Sequence, residues 1–278
     1  MAHQLGFSGS TIMSDPNKFE QLFNSRFSHV EIGEFRSLSD FEDFLRLAEA
    51  KGYGYGVHSP LIRVESKYDL ISFISFDPKR ARKQFEDEVR KLSQSGAAYV
   101  LVHFPYFKDP DEKHQAEKID DGLQFLSRIQ QTYDMPIVCE PKLGPSMSPH
   151  NIEALHHFSR QTWKTYGLSL CIDIGDYLLA VGGKWQVYLE HLKPYIKVVH
   201  LHNILIEGAK YIWVPPHPDL EGVEGYWTIK PIVEYLVQGT DKYFLFEHTP
   251  HSNPTEEFVD EGIDWIRDLI LASNDKVD

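Results

Sequence analysis

Short apolar runs that end in a polar residue recur along the chain, and each is followed by a loop and then by a longer amphipathic stretch. Runs of this length are typical of buried strands when turn-forming residues bound them. They predict eight strands, at His3–Phe7, His29–Glu34, Tyr53–His58, Ala98–His103, Pro136–Glu140, Ser169–Asp173, Lys197–His202 and Tyr243–Glu247.

The stretches between these runs carry apolar residues at three- and four-residue spacing, which predicts helices. Capping chemistry supports the prediction, because two stretches begin with Asp-Pro and a third begins at Ser39, as N-cap, and stops before Gly52. The predicted helices are Asp15–Asn24, Ser39–Lys51, Asp77–Ser95, Glu112–Tyr133, Ser148–Tyr166, Lys184–Leu192, Thr228–Val237 and Thr255–Ala272.

Alternating strands and helices favour a parallel sheet, and eight strands are the number that closes a (β/α)₈ barrel, typically of about 250 residues. The competing architecture, an open doubly wound sheet, usually has a glycine-rich phosphate loop after its first strand. The segment Phe7-Ser8-Gly9-Ser10 is not such a loop. We therefore predict a single α/β domain over residues 1–278, a (β/α)₈ TIM barrel with its active site at the C-terminal ends of the strands.

Acidic and imidazole side chains stand at or near most of the predicted strand ends. They are Glu34, His58, His103, Glu140, Asp173, His200, His202 and Glu247. Carboxylates and imidazoles are ligands for Zn, Mn, Fe or Co. Because so many carboxylates in one mouth must be paired or bound to a cation, and Arg36, Lys142 and Arg63 are few and scattered, the pattern favours a divalent metal ion.

Side-chain alternation along the strands places the two cysteines in different compartments. If Asp173 points into the barrel mouth, Cys171 lies one layer below it, whereas Cys139 points outward when Glu140 points inward. We therefore expect two buried free thiols rather than a disulfide. By the same rule His200 and His202 share a face.

Composition narrows the possible partners. The chain has 28 Lys and Arg against 41 Asp and Glu, a net charge of −13, which works against nucleic-acid binding. The same acidic balance favours a small-molecule substrate. The N-terminus has no signal-peptide pattern, and no apolar run is long enough for a membrane span, so we expect a cytoplasmic protein with no membrane partner. No feature of the sequence predicts an oligomeric state.

Two long segments, Phe104–Lys113 and Ile204–Trp227, are candidate lids over the active site.

Seven segments of the chain together resemble the xylose isomerase-like (β/α)₈ barrel superfamily, in the branch that holds endonuclease IV and the sugar phosphate isomerase/epimerase proteins. The segments are Tyr55-Gly56-Val57-His58-Ser59-Pro60, Leu101-Val102-His103-Phe104-Pro105, Val138-Cys139-Glu140-Pro141, Cys171-Ile172-Asp173-Ile174-Gly175-Asp176, Val199-His200-Leu201-His202-Asn203, His217-Pro218-Asp219-Leu220-Glu221-Gly222 and Leu245-Phe246-Glu247. The resemblance runs over nearly the whole chain.

The resemblance implies a metal site of Glu140, Asp173, His200 and Glu247, in which Glu140 and Glu247 also shuttle the substrate proton. The endonuclease branch adds ligands at positions that resemble His58 and His103, so one to three ions (Zn, Mn, Co, Fe or Mg) are implied. That branch's third metal uses positions that here read Asp176, Pro215 and His217. Further candidates for metal or substrate contact are Asp176, His202, His217, Glu34, Lys142 and Trp213.

Two enzymatic functions and one non-enzymatic function fit these features. The leading hypothesis is a metal-dependent isomerase, epimerase or related lyase that acts on a small sugar, polyol or sugar acid by proton transfer at carbon. The alternative is an endonuclease IV-like phosphodiesterase that acts on abasic DNA or another phosphate ester. A barrel that has lost catalysis and serves as a binding module is the third, and the nearly complete ligand set argues against it.

Overall fold

Eight parallel strands close into a barrel in this computed structural model, which describes residues 3–155, 160–208 and 210–274. Around the barrel each strand pairs with the next barrel strand along the chain, and the first strand also pairs with the last, which closes the barrel. The strands are β1 Gln4–Ser8, β2 His29–Phe35, β3 Gly54–Ile62, β4 Val100–His103, β5 Ile137–Glu140, β6 Ser169–Asp173, β7 Ile196–Leu201 and β10 Tyr243–Phe246. The predicted (β/α)₈ barrel is confirmed.

Helices follow the strands and cover the outside of the barrel. They are α1 Leu38–Lys51, α2 Pro78–Leu92, α3 Gln115–Tyr133, α4 His150–Ala154, α5 Arg160–Tyr166, α6 Ile174–Val181, α7 Trp185–Leu189, α8 Lys230–Leu236 and α9 Glu256–Asn274. The cap of α1 is Ser37, whose hydroxyl accepts the Asp40 N–H, and not Ser39 as predicted. The helix ends at Gly52, where φ is +71° and glycine is favoured.

Three predicted elements differ from the structure. The segment predicted as helix Asp15–Asn24 forms a 3₁₀ helix, Pro16–Leu22. The predicted helix Ser148–Tyr166 forms α4 and α5, with residues 156–159 between them outside the described residues. In the first half of the predicted loop Ile204–Trp227, an antiparallel hairpin forms from β8 (Asn203–Glu207) and β9 (Lys210–Val214).

The core has two compartments. Side chains inside the barrel form one cluster that includes Cys171, Val198 and Leu245. A larger cluster between the strands and the helices includes Cys139 and Val199. Both cysteines are free and buried, on opposite sides of the sheet as side-chain alternation predicts.

Strand register brings the C-terminal residues to one level. His103 of β4 lies opposite Glu140 of β5, and Asp173 of β6 lies opposite His200 of β7. Parallel strands end on the same side of a barrel, so these four side chains meet at one mouth. Among the described residues, no helix combines the length and apolar character that crossing a bilayer requires.

Candidate active site

Three carboxylates from the strand ends meet around one imidazole, that of His200. His200 Nδ1 lies 2.7 Å from Glu247 Oε2 and 3.2 Å from Glu140 Oε1. Ligand atoms of Glu140, Asp173, His200 and Glu247 all lie within 4.8 Å of one another. We call these four residues the central donor group. The strand-end candidates therefore form one cluster, three of them fully buried or nearly so.

Two more histidines join Glu140 from the neighbouring strands. Glu140 Oε2 lies 3.0 Å from His103 Nε2 and 3.4 Å from His58 Nε2. Ligand atoms of these three residues also lie within 4.8 Å of one another, and we call them the histidine donor group. Burial lowers the pKa of His103 to about 3, so its imidazole is neutral and free to act as a ligand.

Lys142 places its ammonium among the carboxylates. Its Nζ lies 2.6 Å from Asp173 Oδ2, 2.7 Å from Asp176 Oδ2 and 3.2 Å from Glu140 Oε1. Burial alone would lower the pKa of Lys142, but the charges of Asp173, Asp176 and Glu140 hold it well above its usual value. The cluster of acidic groups is thus a cation site in which the chain's own ammonium already lies.

The charges within the site also shift the pKa values of its carboxylates. Burial alone would raise the pKa of Glu140, but the charges of Lys142 and His200 and the hydrogen bond with His103 hold it well below its usual value. Asp176 behaves differently, because burial and the charge of Asp173 raise its pKa to about 7. The site therefore combines a firmly ionised carboxylate with one that exchanges a proton near neutral pH.

Asp173 is held by the start of α6 and by a second histidine. Its Oδ1 accepts the Asp176 N–H at 2.9 Å, as the N-cap of that helix, and lies 2.8 Å from His202 Nε2. The His202 ring packs on Trp213, with ring centroids 4.0 Å apart. Gly175 makes this approach possible, because a Cβ there would lie 2.1 Å from His202 Cε1 and 2.3 Å from the Trp213 ring.

A cavity of about 440 Å³ opens above the central donor group. Its walls include Tyr211 and Trp213, which are two residues apart in β9 and so point to the same face of the hairpin. Glu247 also lines the cavity, and its Oε1 accepts the Ser10 hydroxyl at 3.2 Å. The volume is in the range of small-molecule sites.

Glu34 lies at the mouth of this cavity and forms an ion pair with Lys67, which also lines the cavity. Its φ of +52° is unusual for a residue other than glycine, and it lies where the pairing of β2 with β3 shifts register. Burial would raise the pKa of Glu34, but Lys67 and His58 hold it below its usual value. An ionised side chain on a strained backbone position at a cavity mouth is typical of binding positions.

His217 is the candidate that lies apart from the others. Its ring stacks on Phe258 of α9, with centroids 3.9 Å apart, and its Nε2 lies 3.0 Å from Glu261 Oε2. It does not belong to the cavity wall that the described residues form. The structure thus brings together Glu34, His58, His103, Glu140, Lys142, Asp173, Asp176, His200, His202, Trp213 and Glu247, and leaves His217 against the outer helix.

Several residues of the site have weaker sequence signals. Tyr68 lines the cavity and stacks on His103, with ring centroids 5.0 Å apart. It stands in the loop after β3, where no strand or helix periodicity predicts which side chains face the site. Ser8 and Ser10 end and follow β1, so the strand-end rule applied to hydroxyl groups would have identified them.

The central donor group fits a divalent cation. It offers carboxylate oxygens and one imidazole nitrogen. Zn, Mn, Co, Fe and Mg all accept such ligands, although each metal prefers a different ratio of oxygen to nitrogen. The thiol of Cys171 also lies within 4.8 Å of atoms of Glu140 and His200. Burial raises the pKa of Cys171 well above its usual value, so this thiol stays protonated and is a poor ligand.

Comparison with solved structures finds the same fold in sugar-processing proteins. A D-tagatose 3-epimerase-like protein is 17% identical over 99% of this chain and 100% of its own, with a TM-score of 0.63. The 3-keto-D-glucoside 4-epimerase of E. coli is 13% identical over 96% of this chain and 99% of its own, with a TM-score of 0.64. At these identities the likeness establishes the fold.

A third similar structure is a xylose isomerase-like TIM barrel protein from Mycobacterium smegmatis in complex with magnesium. It is 13% identical over 93% of this chain and 88% of its own, with a TM-score of 0.60. No curated protein sequence matches the chain significantly. The family model of the xylose isomerase-like TIM barrel matches residues 1–269, and the chain therefore belongs to that family.

Proposed function

We propose that the protein is a divalent-metal-dependent isomerase or epimerase, or a related lyase, that moves a proton at carbon in a small sugar, polyol or sugar acid. One observation carries the proposal. Two carboxylates from separate strand ends, Glu140 and Glu247, face the same nitrogen of His200 at 3.2 and 2.7 Å beside a small-molecule cavity. A pair of carboxylates at a cation site suits removal and return of a proton on carbon.

The central donor group would hold the ion, and the histidine donor group offers a place for a second. A bound divalent cation polarises a substrate carbonyl and lowers the cost of deprotonating the adjacent carbon. The magnesium complex of the Mycobacterium smegmatis protein supports a metal in this fold. We keep Zn, Mn, Co, Fe and Mg as candidates and one to three as the number of ions.

The chain's own residues then have separate tasks. Glu247 lines the cavity, so we assign to it the removal of the proton from carbon, with Ser10 orienting its carboxylate. Glu140 is fully buried beside it and is our candidate for returning a proton: it would take one from a substrate hydroxyl and deliver it to carbon, while Glu247 passes its own proton to the substrate oxygen. Lys142, also in the cavity wall, donates a hydrogen bond to a substrate oxygen.

Aromatic side chains suit the faces of a sugar ring. Tyr211 and Trp213 line one wall of the cavity, and Tyr68 and Tyr106 pack together on another, with ring centroids 4.3 Å apart. Such rings present apolar faces to C–H groups and exclude water. The small cavity and these walls favour a compact, hydroxyl-rich substrate.

The alternative is an endonuclease IV-like phosphodiesterase, and the histidine donor group is the observation that favours it. Two ions near Glu140 would suit phosphate ester hydrolysis. A net charge of −13 and the acidic residues Glu207, Asp219, Glu221 and Glu224 around the hairpin oppose a DNA backbone. We therefore rank this function second.

Solvent exchange separates the two functions. Protein loaded with Mn²⁺ is incubated in D₂O with a panel of ketoses, aldoses and sugar acids, and in parallel with duplex DNA that contains an abasic site. We expect deuterium to enter one C–H position of a sugar, with Glu247→Gln as the inactive control, and no DNA binding at physiological salt. Incision at the abasic site that is lost in His58→Ala and His103→Ala would favour the phosphodiesterase instead.

A further inference from the structure

Beneath the central donor group lies a fully buried carboxylate whose hydrogen bonds, among the described residues, are with His200 and Tyr99. Glu31 of β2 is 0% exposed, and its Oε1 lies 2.8 Å from His200 Nε2. We propose that Glu31 is a positioning residue that holds the His200 proton on Nε2 and so aims the Nδ1 lone pair at the metal. The inference rests on the metal site proposed above.

The two nitrogens of His200 face different partners. Nε2 points down to Glu31, whereas Nδ1 points up to Glu247 and Glu140, at 2.7 and 3.2 Å. A neutral imidazole has one N–H and one lone pair, and the partner of one nitrogen decides which is which. An ionised carboxylate only accepts hydrogen bonds, so Glu31 requires the N–H on its own side.

Glu31 is itself held in place from the other side. The Tyr99 hydroxyl donates to Glu31 Oε2 at 2.8 Å, so each carboxylate oxygen accepts one hydrogen bond. Tyr99 reaches this position because Gly56, which pairs with Glu31 across β2 and β3, has no side chain. A Cβ at Gly56 would lie 2.2 Å from Tyr99 Cζ. Tyr99, just before β4, and His200 of β7 thus hold the Glu31 carboxylate from two sides.

Electrostatics give Glu31 a second effect on the site. A buried carboxylate is costly unless a cation compensates it. Among the described residues no Lys or Arg forms an ion pair with Glu31, and the group that faces its Oε1 is the His200 imidazole. Its negative charge therefore acts through His200 and strengthens the binding of a cation on the far side of the ring.

Metal affinity and the tautomer of His200 test the proposal without relying on turnover. In protein labelled with ¹⁵N-histidine and loaded with ¹¹³Cd²⁺, we expect a one-bond Cd–N coupling to His200 Nδ1 and a proton on Nε2. Glu31→Gln leaves only one acceptor oxygen, so Mn²⁺ and Cd²⁺ should bind about 10- to 100-fold more weakly. Tyr99→Phe keeps the carboxylate and should lose less affinity than Glu31→Gln.

Glu88→Gln is the matched control, because Glu88 is also buried but lies on α2, where its carboxylate accepts the Leu61 N–H rather than a hydrogen bond from His200. It should bind both metals as the wild type does. Coupling to Nε2 rather than Nδ1, or unchanged affinity in both Glu31→Gln and Tyr99→Phe, would overturn the positioning role while the metal site stands. A wild-type protein that binds no divalent ion at His200 would instead refute the proposed function itself.

Discussion

The ammonium of Lys142 lies 2.6 Å from Oδ2 of Asp173, inside the group of carboxylates that we propose as metal ligands. Lys142 also reaches Asp176, at 2.7 Å. A cation that binds Asp173 must therefore compete with this ammonium, which can keep Asp176 as a partner. The Lys142 ammonium thus has one partner that is a proposed metal ligand, Asp173, and one that is not, Asp176.

Replacing Lys142 should tighten metal binding. In Lys142→Met the competing charge is gone, and we expect Mn²⁺ affinity to rise about tenfold, which corresponds to about 1.4 kcal/mol. Titration calorimetry measures the change. Lys67→Met is the control, since Lys67 lines the same cavity but pairs with Glu34, and it should change the affinity less. Weaker metal binding in Lys142→Met would contradict the competition.

Each of the two carboxylates proposed as proton carriers should be essential. Glu140→Gln and Glu247→Gln keep the shape of the side chain but remove its basicity and weaken its binding of metal. We expect kcat to fall by about 10²- to 10⁴-fold in each variant. The rate is measured on the sugar identified by deuterium exchange. Wild-type kcat in either variant would refute the proton-transfer assignment for that residue.

His217 should matter for stability and not for turnover. Its ring stacks on Phe258 and its Nε2 faces Glu261, both on the C-terminal helix α9. His217→Ala should therefore lower the free energy of unfolding by about 1 kcal/mol. Urea denaturation and steady-state kinetics together check this prediction. A large loss of kcat in a stable His217→Ala protein would return His217 to the active site.

Glu88 should make stability depend on pH. Burial raises its pKa to about 7 from an ordinary value of 4.5. Between these pH values the folded protein holds a proton that the unfolded chain has released, so this group's contribution falls as pH rises, by up to ~3 kcal/mol. Below pH 4.5 its contribution is fully present.

The matched variant for that experiment is Glu88→Gln, which keeps an acceptor for the Leu61 N–H and cannot ionise. Relative to the wild type it should gain stability progressively from pH 4.5 to pH 7. Denaturant melts of both proteins over this range give the difference directly. A constant difference across the range would show that Glu88 titrates normally.

The barrel was predictable because its strands are apolar runs with polar ends, and their register then follows from parallel pairing. That brought His103, Glu140, Asp173 and His200 together as expected. Helix α6 was not predicted, since it starts directly at Asp173 with no turn residue to mark it. The β8–β9 hairpin lies in a segment where glycine and charged residues interrupt the apolar pattern.

Individual contacts within the site depend on side-chain length and on three-dimensional proximity, not on spacing along the sequence. Lys142 contacts three carboxylates because a long flexible side chain starts two residues past Glu140. The contact of Glu31 with His200 joins residues 169 positions apart. No sequence pattern predicts either contact, whereas the pattern of apolar runs does predict which residues stand at the strand ends.

Anomalous diffraction from crystals soaked in Mn²⁺ tests the central claim most directly. We expect an ion bound by Glu140, Asp173, His200 and Glu247, with ligand distances of about 2.0–2.2 Å, and His200 bound through Nδ1. A second peak at His58 and His103 is compatible with the claim. No anomalous peak within reach of these four residues, in crystals that bind Mn²⁺ elsewhere or not at all, would contradict it.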